Sequence, residues 1–179
     1  MPYEVAEKVL LYGVMVLCAL SDLSTGKIFN QITYPAAALG LVLAVVAGGL
    51  PELGQHGLGL AVGFVPFFLV FLFGGMGGGD VKLMGAAGAI VGYPAIVAGL
   101  FHTILVGGVL AVSVMLWKGV LWRGIRNTLW TVVTWAMPMQ TQKLDPANSQ
   151  RVPFGVAIAV GTIWASLENL DLLRHMDLF

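Results

Sequence analysis

The chain has 179 residues, 58% of them hydrophobic and only 10% charged, with a mean hydropathy of +0.90. That composition lies far outside the soluble range and marks an integral membrane protein. Nine basic and nine acidic residues cancel, which argues against nucleic acid or an acidic macromolecule as partner; where the basic residues fall matters more than their sum.

About 20 apolar residues cross the hydrocarbon core as a helix, and polar, glycine and proline punctuation divides this chain into six such spans. The first, residues 5–21, is expected to stay in the protein as a helix. Glu4 and Glu7 occupy what would be the basic start of a signal peptide, and Ser21-Asp22-Leu23-Ser24 offers no small-residue cleavage site. Cys18 is the only cysteine. No disulfide or cysteine metal cluster can form within the chain, and its apolar setting predicts a packing role. Spans two and three are residues 32–50 and 58–73, the latter with Pro66 expected to kink it. His56 falls in the loop between them, where solvation is expected.

Residues 81–117 as one helix would extend roughly 55 Å at 1.5 Å per residue, too long for a single crossing. Gly92-Tyr93-Pro94 is the natural break, giving a short fourth span, 81–93, and a fifth, 95–117. The short one is expected to tilt, to thin the bilayer, or to be shielded by its neighbours. His102, inside the fifth, is expected to be satisfied by an adjacent helix.

Residues 117–150 differ in kind. Trp117, Trp122, Trp130 and Trp135 alternate with Lys118, Arg123 and Arg126, while Leu121, Ile125, Leu129, Val132 and Ala136 recur at helical spacing. That pattern predicts a helix lying on the membrane surface. An exposed loop around Asp145-Pro146 then leads to the sixth span, 152–170. With no repeat and no second soluble segment, the chain reads as a single all-α polytopic domain over residues 1–179.

The nine basic residues set the orientation: Lys27, Lys82, Lys118, Arg123, Arg126, Lys143 and Arg151 fall on one face, against Lys8 and Arg174 on the other. The positive-inside rule places the first face in the cytoplasm and both termini outside.

One segment defies the apolar pattern. Gly74-Gly75-Met76-Gly77-Gly78-Gly79-Asp80-Val81-Lys82 sets a carboxylate after a glycine cluster, between two apolar segments. An Asp at the centre of a membrane helix costs about 2.5 to 3.5 kcal/mol, so one near the bilayer calls for a partner, a wet cavity or a function. Counting crossings supplies the partner. Asp22 closes the first span at the cytoplasmic face, the second leaves, the third returns, and Asp80 opens the fourth at that face. Two nearby carboxylates do not both ionise easily, so one keeps a proton while the other acts as base, as peptide hydrolysis by activated water requires. Gly77, Gly78 and Gly79 would let a substrate backbone approach beside Asp80. Lys82 stands about 200° round a helix from Asp80 and is expected to meet lipid phosphates or to steady the loop rather than to pair with it. Asn30 is expected to cap the turn into the second span or to hold the loop near Asp22. No two histidines, and no histidine with an acid, show metal-ligand spacing, so neither metal nor cofactor is expected.

Gly77-Gly78-Gly79-Asp80-Val81-Lys82-Leu83 resembles the GxGD motif of the type IV prepilin peptidases, a family of intramembrane aspartyl proteases. Asp22-Leu23-Ser24-Thr25-Gly26-Lys27-Ile28-Phe29-Asn30 is similar to that family's first motif, and Val152-Pro153-Phe154-Gly155 to its entry into the last helix. Ser24 stands where the family often has Arg and Phe29 where it has Pro, both in the loop after Asp22. The resemblance implies an aspartic endopeptidase of the cytoplasmic (inner) membrane, with Asp22 and Asp80 catalytic. Its substrates would be type IV prepilins or pseudopilins, which lose a short basic leader after a glycine at the cytoplasmic face. Gly77, Gly78, Gly79, Lys27 and Asn30 would contact that substrate. The paired CxxC insertion of larger members is missing, so N-methylation of the product is not expected. A small transporter or channel subunit using the two acids as a proton or cation site, or a noncatalytic pilus-assembly protein, are the competing expectations.

Overall fold

The computed structural model of the chain describes residues 2–117 and 154–176, with side chains for 3–117 and 154–168. Every described element is helical: α1 Pro2–Thr25, α2 Asn30–Leu72, α3 Gly78–Val91, α4 Ala95–Trp117 and α5 Phe154–Met176. The predicted surface segment of residues 117–150 lies outside the described residues, apart from Trp117. One compact unit comprises Met1–Gly107 and Pro153–Phe179, and a second comprises Gly108–Val152. Of the second, only the end of α4 is described.

Two helices, α2 and α4, are long and apolar enough to cross a membrane. α2, at 43 residues, is a hairpin rather than a rod. Its first arm advances alongside α3, since Lys82 Nζ reaches Asn30 Oδ1 at 2.9 Å and the backbone at Ala89 lies on Gly40. The second arm runs back down α3, with Gly59 against Gly88, Gly63 against Met84 and the Phe71 ring against Gly78. The reversal falls at Gly48 (φ −153°, ψ 16°) and Gly49 (φ 71°, ψ −145°). Gly49 holds a backbone conformation that side chains disfavour. Spans two and three were expected to end at Leu50 and to resume at Leu58; the chain instead turns two residues before Leu50 and is helical again through Pro51. Proline suits the first turn of a helix, where its missing N–H has no partner to lose. Pro66 leaves the helical backbone unbroken, and the only non-helical residues inside α2 are the two glycines.

α3 is the hub. Nine of its 14 residues are buried, and Leu83, Met84 and Ile90 join Leu11, Met15 and Cys18 of α1, Ile96 of α4 and Ile158 of α5 in one core. At about 21 Å α3 is shorter than a bilayer core, and its burial by neighbours is the shielding expected of a short span. Cys18 is fully buried, in its predicted packing role. α3 ends at Gly92 (φ 69°), so the predicted break before Pro94 is present.

α5 lies antiparallel to both α1 and α4. Tyr12 meets Ser166 and Asp22 meets Gly155 along α1; Gly107 faces Phe154 and Ala157, and Gly99 faces Thr162, along α4. By contrast, Val9, Leu20, Val46, Leu50, Phe101 and Ile104 are exposed on helix surfaces. An apolar exterior around a tightly packed interior is what a lipid solvent permits.

Candidate functional site

The packing gathers one set of helix ends. The C-terminal end of α1, both ends of the α2 hairpin and the N-terminal ends of α3 and α5 come together, because α5 runs antiparallel to α1, the first arm of α2 runs parallel to α3 and the second arm antiparallel to it. Asp22, three residues from the end of α1, and Asp80, in the first turn of α3, both line an open cleft of about 320 Å³. Gly26, Lys27, Ile28, Phe29, Asn30, Gly77 and Gly79 complete its walls.

Each acid is held by a backbone amide. Gly155, in the first turn of α5, donates its N–H to Asp22 Oδ2 at 2.9 Å. Gly77, the residue capping α3, donates to Asp80 Oδ2 at 3.2 Å, the reach of a first-turn acid back to its own cap. Asp80 stands one residue ahead of the apolar run 81–93 and opens onto the cleft. Burial raises its carboxyl, the Asp22 charge raises it further, and the Gly77 N–H opposes both, leaving it at about 6. A carboxylate shifted by burial and by a specific acidic neighbour, inside a cleft, has the character of a group that trades protons near neutral pH.

The loop joining α1 to α2 is braced from beneath. Ser21 Oγ donates to the Lys27 carbonyl at 2.7 Å and Thr25 Oγ1 to the Ser21 carbonyl at 2.8 Å. Gly26, at φ 64°, donates its N–H to the Asp22 carbonyl at 2.8 Å. These bonds turn the loop over the end of α1, so Lys27 and Phe29 become wall residues. Asn30 does not cap α2: the cap is Phe29, without a side-chain bond. The Asn30 side chain instead accepts the hydrogen bond from Lys82, whose ammonium also lies 5.3 Å from the centre of the Tyr34 ring. The sequence had left Lys82 between lipid phosphate and loop support; this geometry is loop support.

The three glycines divide. Gly77 and Gly79 line the cleft, whereas Gly78 packs against the Phe71 ring. A side chain on Gly79 would press on Ile28, its Cβ only 3.0 Å from that of Ile28. Gly79 therefore lets the α1–α2 loop close over the start of α3.

Two histidines lie away from the cleft. His56 was expected to be solvated, and this is corrected: it is 6% exposed, its Nδ1 donates to the Ala89 carbonyl at 3.0 Å, and its Nε2 stands 3.6 Å from Glu7. The hairpin caused the difference. With the turn at Gly48–Gly49 rather than around residue 56, His56 lies inside the second arm, facing α3. His102 is satisfied by a neighbouring helix as expected, its Nε2 lying 3.1 Å from Glu168 of α5. Among the described residues, no group of three metal-ligating side chains forms a metal site.

Residues 9–112, more than half of the chain, match the model of the type IV leader peptidase family. That segment contains both acids and the whole cleft wall, while Gly155 lies beyond it. No curated protein and no solved structure matches the chain.

Proposed function

We propose that this chain, which belongs to the type IV leader peptidase family, is an aspartic endopeptidase whose catalytic pair is Asp22 and Asp80. Its substrates are type IV prepilins or pseudopilins, from which it removes a short basic leader at the cytoplasmic face of the inner membrane. Membership makes the chain a peptidase, and its composition and two long apolar helices make it a membrane protein. One observation above others supports the finer reading: acids from two different helices line one open cleft, and the charge of one raises the other. An acid serving only as a helix cap needs no acidic neighbour and no cleft.

In the proposed reaction, water enters the cleft beside the scissile carbonyl. The ionised carboxylate takes a proton from the water as its oxygen bonds to the carbonyl carbon, and the other acid gives its proton to the carbonyl oxygen. The tetrahedral species then collapses. The C–N bond breaks, the nitrogen leaves with a proton, and the pair regains its single proton. Gly77 and Gly79, with Lys27 and Asn30 on the facing wall, border the path of the substrate backbone. A substrate helix lying in the membrane with its leader in the cytoplasm presents its scissile bond at this depth. Six crossings in one peptidase domain, the α2 hairpin supplying two, put the cleft on the side carrying Lys27 and Lys82. With Cys18 alone there is no cysteine-bound zinc, so the product is not N-methylated by this chain.

The test is cleavage of a prepilin with a glycine-containing leader by the purified protein in lipid, beside Asp22→Ala and Asp80→Ala. Wild type cleaves and neither variant does; an inactive wild type, or an active variant, removes the proposal. An ion carrier would instead show ion coupling without proteolysis. Orientation is tested by labelling single cysteines at positions 25 and 145 in a protein lacking Cys18, where labelling from outside overturns it.

A further inference from the structure

Asp22 and Asp80 reach the cleft with different support. The amide that holds Asp80 belongs to its own helix, since Gly77 caps α3. The amide that holds Asp22 comes from 133 residues away, at the start of α5. It is the shorter of the two bonds, 2.9 Å against 3.2 Å. It also sits at the positive end of a 23-residue helix, where a carboxylate is favoured in its charged form. The space around it is as specific as the bond. A Cβ on residue 155 would lie 2.8 Å from Asp22 Oδ2, 3.0 Å from its Cβ and 3.1 Å from its Cγ. Only a residue without a side chain brings its N–H to this carboxylate without moving it. No hydrogen bond from a described group occupies Asp22 Oδ1.

We infer that Gly155 is a positioning residue for the reaction: its N–H fixes Asp22 through Oδ2 as the ionised member of the pair, so that Oδ1 takes the proton from water and Asp80 serves as the acid. The raised carboxyl of Asp80 fits the second role, since burial and the neighbouring charge both favour its protonated form. The inference deepens the proposed function and rests on it. It makes the entry of the last helix, outside the matched segment 9–112, part of the working site rather than a membrane anchor.

Two changes separate bulk from bond. Gly155→Ala keeps the N–H and displaces the carboxylate; an ester in place of the 154–155 amide removes the N–H and adds no bulk. Both are expected to lower kcat about 100-fold, the effect of a misplacement near 1 Å, with KM within about twofold of wild type. Gly107→Ala, which crowds Phe154 on the α4 side of the same helix, is the packing control and should leave kcat near wild type. A readout independent of cleavage is the Asp22 carboxylate stretch, isolated as the infrared difference between Asp80→Asn and Asp22→Asn/Asp80→Asn. It should move when the amide becomes an ester. An unchanged kcat in either variant, a loss carried by KM, an equal loss in Gly107→Ala, or an unmoved stretch each overturns the inference. Failure of wild type to cleave any leader removes the proposed function instead, and the infrared result still reads the bond.

Discussion

The two ends of the helix bundle both collect carboxylates, and they treat them in opposite ways. At the end away from the cleft, Glu7 of α1 and Glu52 of α2 stand 3.6 and 4.0 Å from the His56 imidazole, which is itself tied to the Ala89 carbonyl. The ring fills the space between the acids and faces Gly92 at the end of α3. At the other end Asp22 and Asp80 share a cleft with no basic side chain bonded to either among the described residues, and Lys82, close in sequence, is drawn off to Asn30. A closed knot of acid and imidazole stabilises a fold. An open pair of acids, each held by one amide, leaves oxygens free for water and substrate.

Removal of the open pair should have the largest effect. Asp22→Ala or Asp80→Ala should lower kcat by about 10⁴-fold or more, as loss of one member of a catalytic unit does, measured as leader release in lipid. The same change in the knot should do the reverse. His56→Ala removes a buried ring and leaves the Ala89 carbonyl unsatisfied, costing about 2 to 3 kcal/mol of stability. Thermal unfolding should show that loss, while cleavage per folded molecule stays within about twofold.

The pair's coupling sharpens the contrast through pH. Hydrolysis needs one proton on the two acids, and Asp80 gives its proton up at about 6. Cleavage by the free enzyme, read as kcat/KM, should therefore fall about tenfold per unit on the alkaline side of that value. The same shift bears on stability. The folded state holds the Asp80 proton more tightly than the unfolded chain, whose ordinary value is 3.8. This contribution is present at low pH and is lost as pH rises through about 6. Asp80→Asn should accordingly stabilise the protein at pH 7, by on the order of 2 kcal/mol, while abolishing cleavage. A Tm that does not rise would mean that the cleft solvates Asp80 fully.

The smallest effect should come from the strap between the walls. Lys82→Met keeps the stem beside Tyr34 and loses the bond to Asn30, about 1 kcal/mol, or roughly fivefold in kcat/KM. Asn30→Ala should cost a similar amount. The double variant should cost little more than either alone.

Much of the site was legible because its residues break a strong pattern. In a chain this apolar, Asp22 and Asp80 stand out, and counting crossings puts them on one side whichever helices are neighbours. The short fourth span, its end at Gly92, the packing role of Cys18 and the polar partner for His102 followed from similar reasoning. His56 did not, because a histidine beside Glu52 and Gln55 reads as loop until the hairpin turn is located eight residues earlier. Nor did Gly155: it appeared in the sequence only as part of a motif, and its bond to Asp22 spans the whole fold.

Hydropathy and its interruptions showed that the chain is a helical membrane protein and which acids share a side, while the turn between the second and third apolar runs, at Gly48–Gly49, emerged only in the fold. Tertiary structure alone decided which helices touch. It buried α3, drew Lys82 to Asn30, closed His56 between two glutamates and placed the start of α5 on Asp22. In water, an amphipathic stripe announces the face that a helix will bury. In lipid both faces are apolar, and partners are chosen by the fit of small residues such as Gly59 on Gly88, which leaves no periodicity to read.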